Sequence, residues 1–101
     1  MLCYEVKKNA LIVKLSGELD HSAAEDVRME LDGLISKTGA RRLILDLKGL
    51  EFMDSSGIGL IIGRYKRLKR VGGSVAVRGT DSRMDKIFRM AGLYQLVERL
   101  A

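Results

Sequence analysis

The apolar residues of this chain switch repeatedly between a period of two and a period of three to four, and that alternation restricts the fold more than any other feature. Leu2, Tyr4 and Val6 alternate with polar or small neighbours, and Leu11, Val13 and Leu15 do the same after Lys8 and Asn9. Both read as strands joined by a short turn. Ala24, Val27, Leu31, Leu34 and Ile35 then repeat at helical spacing. "SAAE" at 22–25 predicts the start of that helix as a capping box, with Ser22 bonding first-turn amides and Glu25 reaching back, and Gly39 ends it. Leu43, Leu45 and Leu47 alternate with Ile44 and Asp46 as a third strand. Ile58, Ile61, Ile62, Tyr65 and Leu68 mark a second helix, closed by Gly72 and Gly73. Val75 and Val77 give a fourth strand, and a third helix capped by Asp81 or Ser82 runs along Met84, Ile87, Phe88 and Ala91 to Gly92. Residues 93–100 carry no decisive period.

Strand–helix alternation demands crossover connections and mostly parallel pairing, with the first strand free to run antiparallel. The strand face opposite the leucines and valines mixes Lys14, Ser16, Asp46, Ser74 and Arg78 with Ile12, Ile44 and Ala76. A sheet covered on both sides would be apolar on both. The expected fold is therefore α/β, a small mixed, mostly parallel sheet with helices packed mainly on one face. With 101 residues, 47% of them apolar, residues 1–101 suffice for one domain around one core.

The stretch from Gly57 to Gly63 is the longest apolar one, far short of the roughly 18 residues of a membrane span. Glu5, Lys7 and Lys8 stand where a signal peptide needs an uncharged segment. A soluble, cytoplasmic protein without membrane contact is expected. One cysteine, Cys3, and one histidine, His21, can form neither an internal disulfide nor a Cys/His zinc cluster. The net charge of +5 invites a nucleic-acid reading, yet Arg64, Lys66, Arg67, Lys69 and Arg70 account for the excess, and the remaining basic and acidic residues balance at 13 each. A cluster at one helix end complements the macrodipole and reads as a solvated terminus. Five scattered aromatic residues offer no base-stacking platform, so no direct nucleic-acid contact is expected.

Loops after parallel strands collect at the carboxyl edge of the sheet, where α/β folds bind ligands and partners. Two of them carry polar chemistry, "GELDHS" at 17–22 and "MDSSGIG" at 53–59, and each leads into a helix N-terminus with free amides. The second is not a dinucleotide fingerprint, because residue 62 is isoleucine where a third glycine belongs, and no lysine follows as a P-loop requires. No metal or cofactor is called for. Ser55 or Ser56 with His21 and an acid could form a hydrolase site, but the G-x-S-x-G elbow is missing.

Asp54 or Ser55 as a helix cap explains one oxygen, whereas this turn supplies three side chains with oxygens and then two glycines, each costing a helix roughly 0.5–1 kcal/mol relative to alanine. A core stripe through Ile58, Ile62 and Tyr65 puts Gly59, Leu60, Gly63 and Arg67 on other faces. There the glycines suit either a partner's seat or a closely packed neighbouring helix. A phosphate on a serine at this helix N-terminus would gain amide donors while adding about −1.5 to −2 charges beside Asp54. Such a group could repel a docked partner without unfolding the protein.

"LSGELDHSAAE" (15–25), "LILDLKGLEFMDSSGIGLIIGRYK" (43–66), "GG" (72–73) and "MAGL" (90–93) together resemble the anti-sigma-factor antagonists of the STAS domain family. "GELDHS" and "GRYK" favour the sporulation branch over the general-stress branch, which shares the fold and the serine. The resemblance implies one STAS domain, monomeric when free and without enzymatic activity, that binds an anti-sigma factor acting also as a serine kinase and so frees a sigma factor. It implies phosphorylation of Ser55 by that kinase, loss of binding, and reactivation by a PP2C-type phosphatase. Asp20 and Asp54, with the turn Ser56, Gly57, Ile58 and Gly59, would lie on the docking face.

Overall fold

Lys8 and Asn9 both take positive φ, 48° and 70°, as the two central residues of a type I′ turn must. That turn joins strand β1 (Leu2–Lys7) to β2 (Ala10–Leu19) in the computed structural model, which describes residues 1–101. Helix α1 (His21–Thr38), β3 (Arg42–Met53), α2 (Ser55–Lys69), β4 (Ser74–Arg78) and α3 (Ser82–Met90) follow. A 3₁₀ turn at Leu93–Gln95 and a two-residue strand β5 (Glu98–Arg99) complete the chain. The strands lie in sequence order, β1 antiparallel to β2 and every later pair parallel.

The alternating strand residues place Leu11, Val13 and Leu15 beside Leu43, Leu45 and Leu47 and then Val75 and Val77, all buried on one face of the sheet. Val27, Leu31 and Ile35 of α1, Leu60, Ile61 and Leu68 of α2, and Met84 and Phe88 of α3 complete the same apolar cluster. The opposite face is mostly wet, carrying exposed Lys14 and Ser16 and the Arg78–Asp46 ion pair, with Ile12 and Ala76 buried among them. Helices on one face of a mixed sheet are what the patterning predicts. No helix is long and apolar enough to cross a membrane.

Three details differ from the sequence reading. Asp20, not Ser22, caps α1, accepting from the Ala23 amide at 2.9 Å, while Ser22 Oγ donates to the same carboxylate at 2.9 Å and Glu25 pairs with Arg28. An earlier oxygen acceptor one residue past the strand outcompetes the second one. The buried line of α2 is Gly57, Leu60, Ile61, Arg64 and Leu68, so Leu60 is core and Ile58, Ile62 and Tyr65 are its half-buried flank. An arginine on the inner line masks the period. For the same reason the basic end of α2 is only partly solvated: Arg64 is buried, and Arg67 donates to Asp32 and Ser36 of α1.

The tail that lacks a period becomes β5 through side-chain contacts. Asp85 of α3 accepts from Thr80 Oγ1 at 2.8 Å, from the Tyr94 hydroxyl, and from Arg99 through Nε at 3.0 Å and Nη2 at 3.1 Å. Glu98, on the other sheet face, pairs with Arg42 at 3.0 Å. The turn into β4 depends on Gly73, where a Cβ would stand 2.1 Å from the Arg41 carbonyl oxygen.

Candidate functional site

Irregular register between β2 and β3 brings two helix starts level. The pairing steps from Lys14↔Asp46 to Ser16↔Gly49 and from Gly17↔Leu50 to Glu18↔Phe52, so β3 takes up extra residues and ends with Met53 beside Leu19. Such bulges re-aim a strand end, and they are frequent next to functional sites. The next residues, Asp20 and Asp54, are then neighbours, and the Asp54 amide reaches the Leu19 carbonyl at 3.4 Å. β4 stops pairing at Asp46↔Arg78, so this double helix start projects beyond it at the carboxyl edge.

Both caps are aspartates in extended conformation. Asp54 Oδ1 accepts from the Ser56 amide at 2.8 Å. Hydrogen bonds from the Ala23 amide and the Ser22 hydroxyl hold the Asp20 carboxyl below the usual aspartate range, so it is ionised at neutral pH. Ser56 Oγ lies 3.5 Å from His21 Nδ1 and bridges the two helices. That pair is no catalytic triad, since Asp20 and Asp54 serve as caps and neither carboxylate bonds the imidazole.

Ser55, the first residue of α2, is exposed, and its hydroxyl takes no part in the hydrogen bonds around it. Asp54, Ser56 and Ile58 are half-buried, Gly59 is exposed, and Gly57 is buried. The two glycines therefore serve different ends. A Cβ at Gly57 would stand 2.5 Å from Cγ and 2.6 Å from Sδ of buried Met53, and 3.3 Å from Leu19 Cδ2; at Gly59 it would meet nothing within 4 Å. Gly57 lets α2 sit down on the ends of β2 and β3, whereas Gly59 and Gly63 open onto a groove beside α1. Gly59→Ala is expected to stabilise the protein by roughly 0.5–1 kcal/mol through helix propensity. Gly57→Ala should cost about 1–3 kcal/mol through overpacking. Thermal unfolding checks the pair, and equal melting temperatures for the two variants would contradict this division.

Comparison with known proteins places the arrangement. The family profile described as STAS domain matches residues 2–101. The chain is 42% identical over 93 residues to an anti-sigma F factor antagonist of Paenibacillus polymyxa, covering 92% of this chain and 80% of that one. The anti-sigma factor antagonist SpoIIAA in its unphosphorylated form superposes with a TM-score of 0.80 at 29% identity, over 100% of this chain and 88% of that one. The Bacillus cell fate determinant SpoIIAA in the phosphorylated form gives 0.77 at 31% identity, over 100% and 92%.

Proposed function

The chain belongs to the STAS domain family, and we propose that it is an anti-sigma-factor antagonist of the sporulation branch, switched by phosphorylation of Ser55. In this reading the unmodified protein docks on an anti-sigma factor in the cytoplasm and displaces the sigma factor held there. The anti-sigma factor is also the serine kinase that modifies Ser55, and a PP2C-type phosphatase reverses the modification. The protein itself is monomeric when free and catalyses nothing.

The observation that carries this reading is the position of Ser55: an exposed, unbonded hydroxyl at the first residue of α2, next to two aspartate caps at the joined helix starts. Its exposure suits entry into a kinase site, and the helix start can accept a phosphate without rearrangement. Asp20, Asp54, Ser56, Ile58 and Gly59 form the surrounding surface, and Gly57 fixes its height over the strands. The acids complement a basic partner surface before modification. After it, about −1.5 to −2 further charges face whatever acids that partner carries, and the phosphate must be desolvated on docking. Relatedness to SpoIIAA, known in both an unphosphorylated and a phosphorylated form, supports the same reading.

The test is displacement. Added to a preformed complex of the anti-sigma factor and its sigma factor, the unmodified protein is expected to release sigma factor on a sizing column and to co-elute with the anti-sigma factor. A sigma complex that survives excess unmodified protein would contradict the proposal.

A further inference from the structure

Gly59 and Gly63 face a shallow groove of about 590 Å³ between α1 and α2, and the positive charge along its wall exceeds what the surrounding carboxylates neutralise. Asp32 of α1 meets three guanidinium groups. Arg28 Nη1 lies 3.2 Å from Oδ2, Arg67 Nη1 donates to Oδ1 at 3.0 Å, and Arg64 Nε stands 3.0 Å from that same Oδ1. Glu25 takes part of Arg28, so three cations share two carboxylates. Arg67 is engaged elsewhere as well, donating to the Asp32 carbonyl and to Ser36 Oγ.

Arg64 is the group left over. It is 8% exposed, and its contact with Asp32 has the distance of an ion pair without the direction of a hydrogen bond; neither Nε nor Nη1 finds an acceptor. Buried donors of native proteins are nearly always paired, and a guanidinium left unpaired is costly. Burial, together with Arg28 and Arg67, holds its pKa below the usual arginine value, yet an arginine keeps its proton at neutral pH. Nε and Nη1 are sealed from solvent, while Arg64 lines the groove beside Gly59 and Gly63, where a Cβ would meet nothing within 4 Å.

We propose that this groove is an oxyanion site, in which a phosphate or carboxylate group of a small molecule lies over Gly59 and Gly63 and draws the Arg64 guanidinium round to donate to it, with Arg28 at the rim. A planar fork of donors matches either group, and an anion completes the charge balance that Asp32 and Glu25 leave unfinished. The same two glycines that weaken α2 as a helix provide the room. The groove borders the surface around Ser55, sharing Ser56 and Gly59 with it, but its test concerns the free protein and needs no anti-sigma factor.

The experiment is a titration of the ¹⁵N-labelled full chain with inorganic phosphate, and separately with acetate, at constant ionic strength, followed through Arg64 Nε–H and the amides of Gly59 and Gly63. Saturable shifts of these signals are expected, and the arm that saturates at lower concentration identifies the group preferred. Arg64→Met should weaken the response roughly tenfold or more, as the loss of charge-assisted bonds implies. Gly63→Leu, which fills the groove at a position with space for a side chain, should abolish it even if Arg64→Met folds poorly. Lys66→Met removes the same charge from an exposed site and should leave it intact. Absent or non-saturating shifts in both arms, or an unchanged response in Gly63→Leu, would overturn the assignment.

Discussion

Ser55→Asp is expected to weaken binding to the anti-sigma factor by tens-fold to thousands-fold, while Ser55→Ala binds as tightly as the unmodified protein. The size follows from placing a desolvated charge in a docked surface, roughly 2–5 kcal/mol. Aspartate carries one negative charge where phosphoserine carries nearly two, so the substitution should fall toward the lower end and the phosphorylated protein toward the upper. Neither change should disturb the fold, because Ser55 is exposed and α2 is capped by Asp54 rather than by the serine. Competition binding at two salt concentrations measures the effect. If repulsion is its main source, the gap between Ala and Asp narrows as salt rises. Equal affinities for the two variants would remove the electrostatic account.

The second large effect lies in α3. Asp85→Asn is expected to cost about 1–3 kcal/mol, since the amide can satisfy neither the Arg99 fork nor the full set of donors from Thr80 and Tyr94. Hydrogen bonds from Arg99 and Tyr94 hold the Asp85 carboxyl far below the usual aspartate range. A carboxyl with a depressed folded-state pKa stabilises the protein above its unfolded value near 3.9 and loses that contribution as pH falls through the folded value. The stability gap between wild type and Asp85→Asn should therefore be constant from about pH 5 upward and shrink only below about pH 4. Urea unfolding at several pH values checks this. A gap that is already closing near pH 6 would mean that another group titrates.

How much of this was legible in the residues depended on whether a side chain's type matched its surroundings. Strands β2, β3 and β4 are plain because their leucines and valines alternate and face one core. β5 has two residues, too few for a period, and it is held by Arg99 to Asp85 and by Glu98 to Arg42, contacts between distant positions that no local pattern announces. The inner line of α2 contains Gly57 and Arg64, which look like surface residues in a sequence, so the apolar spacing alone points to the flank of Ile58, Ile62 and Tyr65. The position of the α1 cap was decided by competition between Asp20 and Ser22 for the same amides, and the carboxylate wins while the hydroxyl donates to it. The juxtaposition of the two helix starts, by contrast, follows from a parallel register that residue spacing alone could suggest but not align, since it depends on the bulges around Ser16 and Glu18.

The family resemblance supplied what spacing could not, the choice of Ser55 over Ser56. The two serines differ in setting: Ser55 is exposed, whereas Ser56 is half-buried against His21, with its amide on Asp54. One measurement tests the central claim most directly. The protein is incubated with ATP and its anti-sigma factor, the modified residue is located by peptide mass spectrometry, and the product is returned to the binding assay. A single phosphate on Ser55 and loss of binding that a PP2C-type phosphatase restores is the predicted result. A phosphate on Ser56 or elsewhere, or a Ser55-phosphorylated protein that still binds with full affinity, would contradict it.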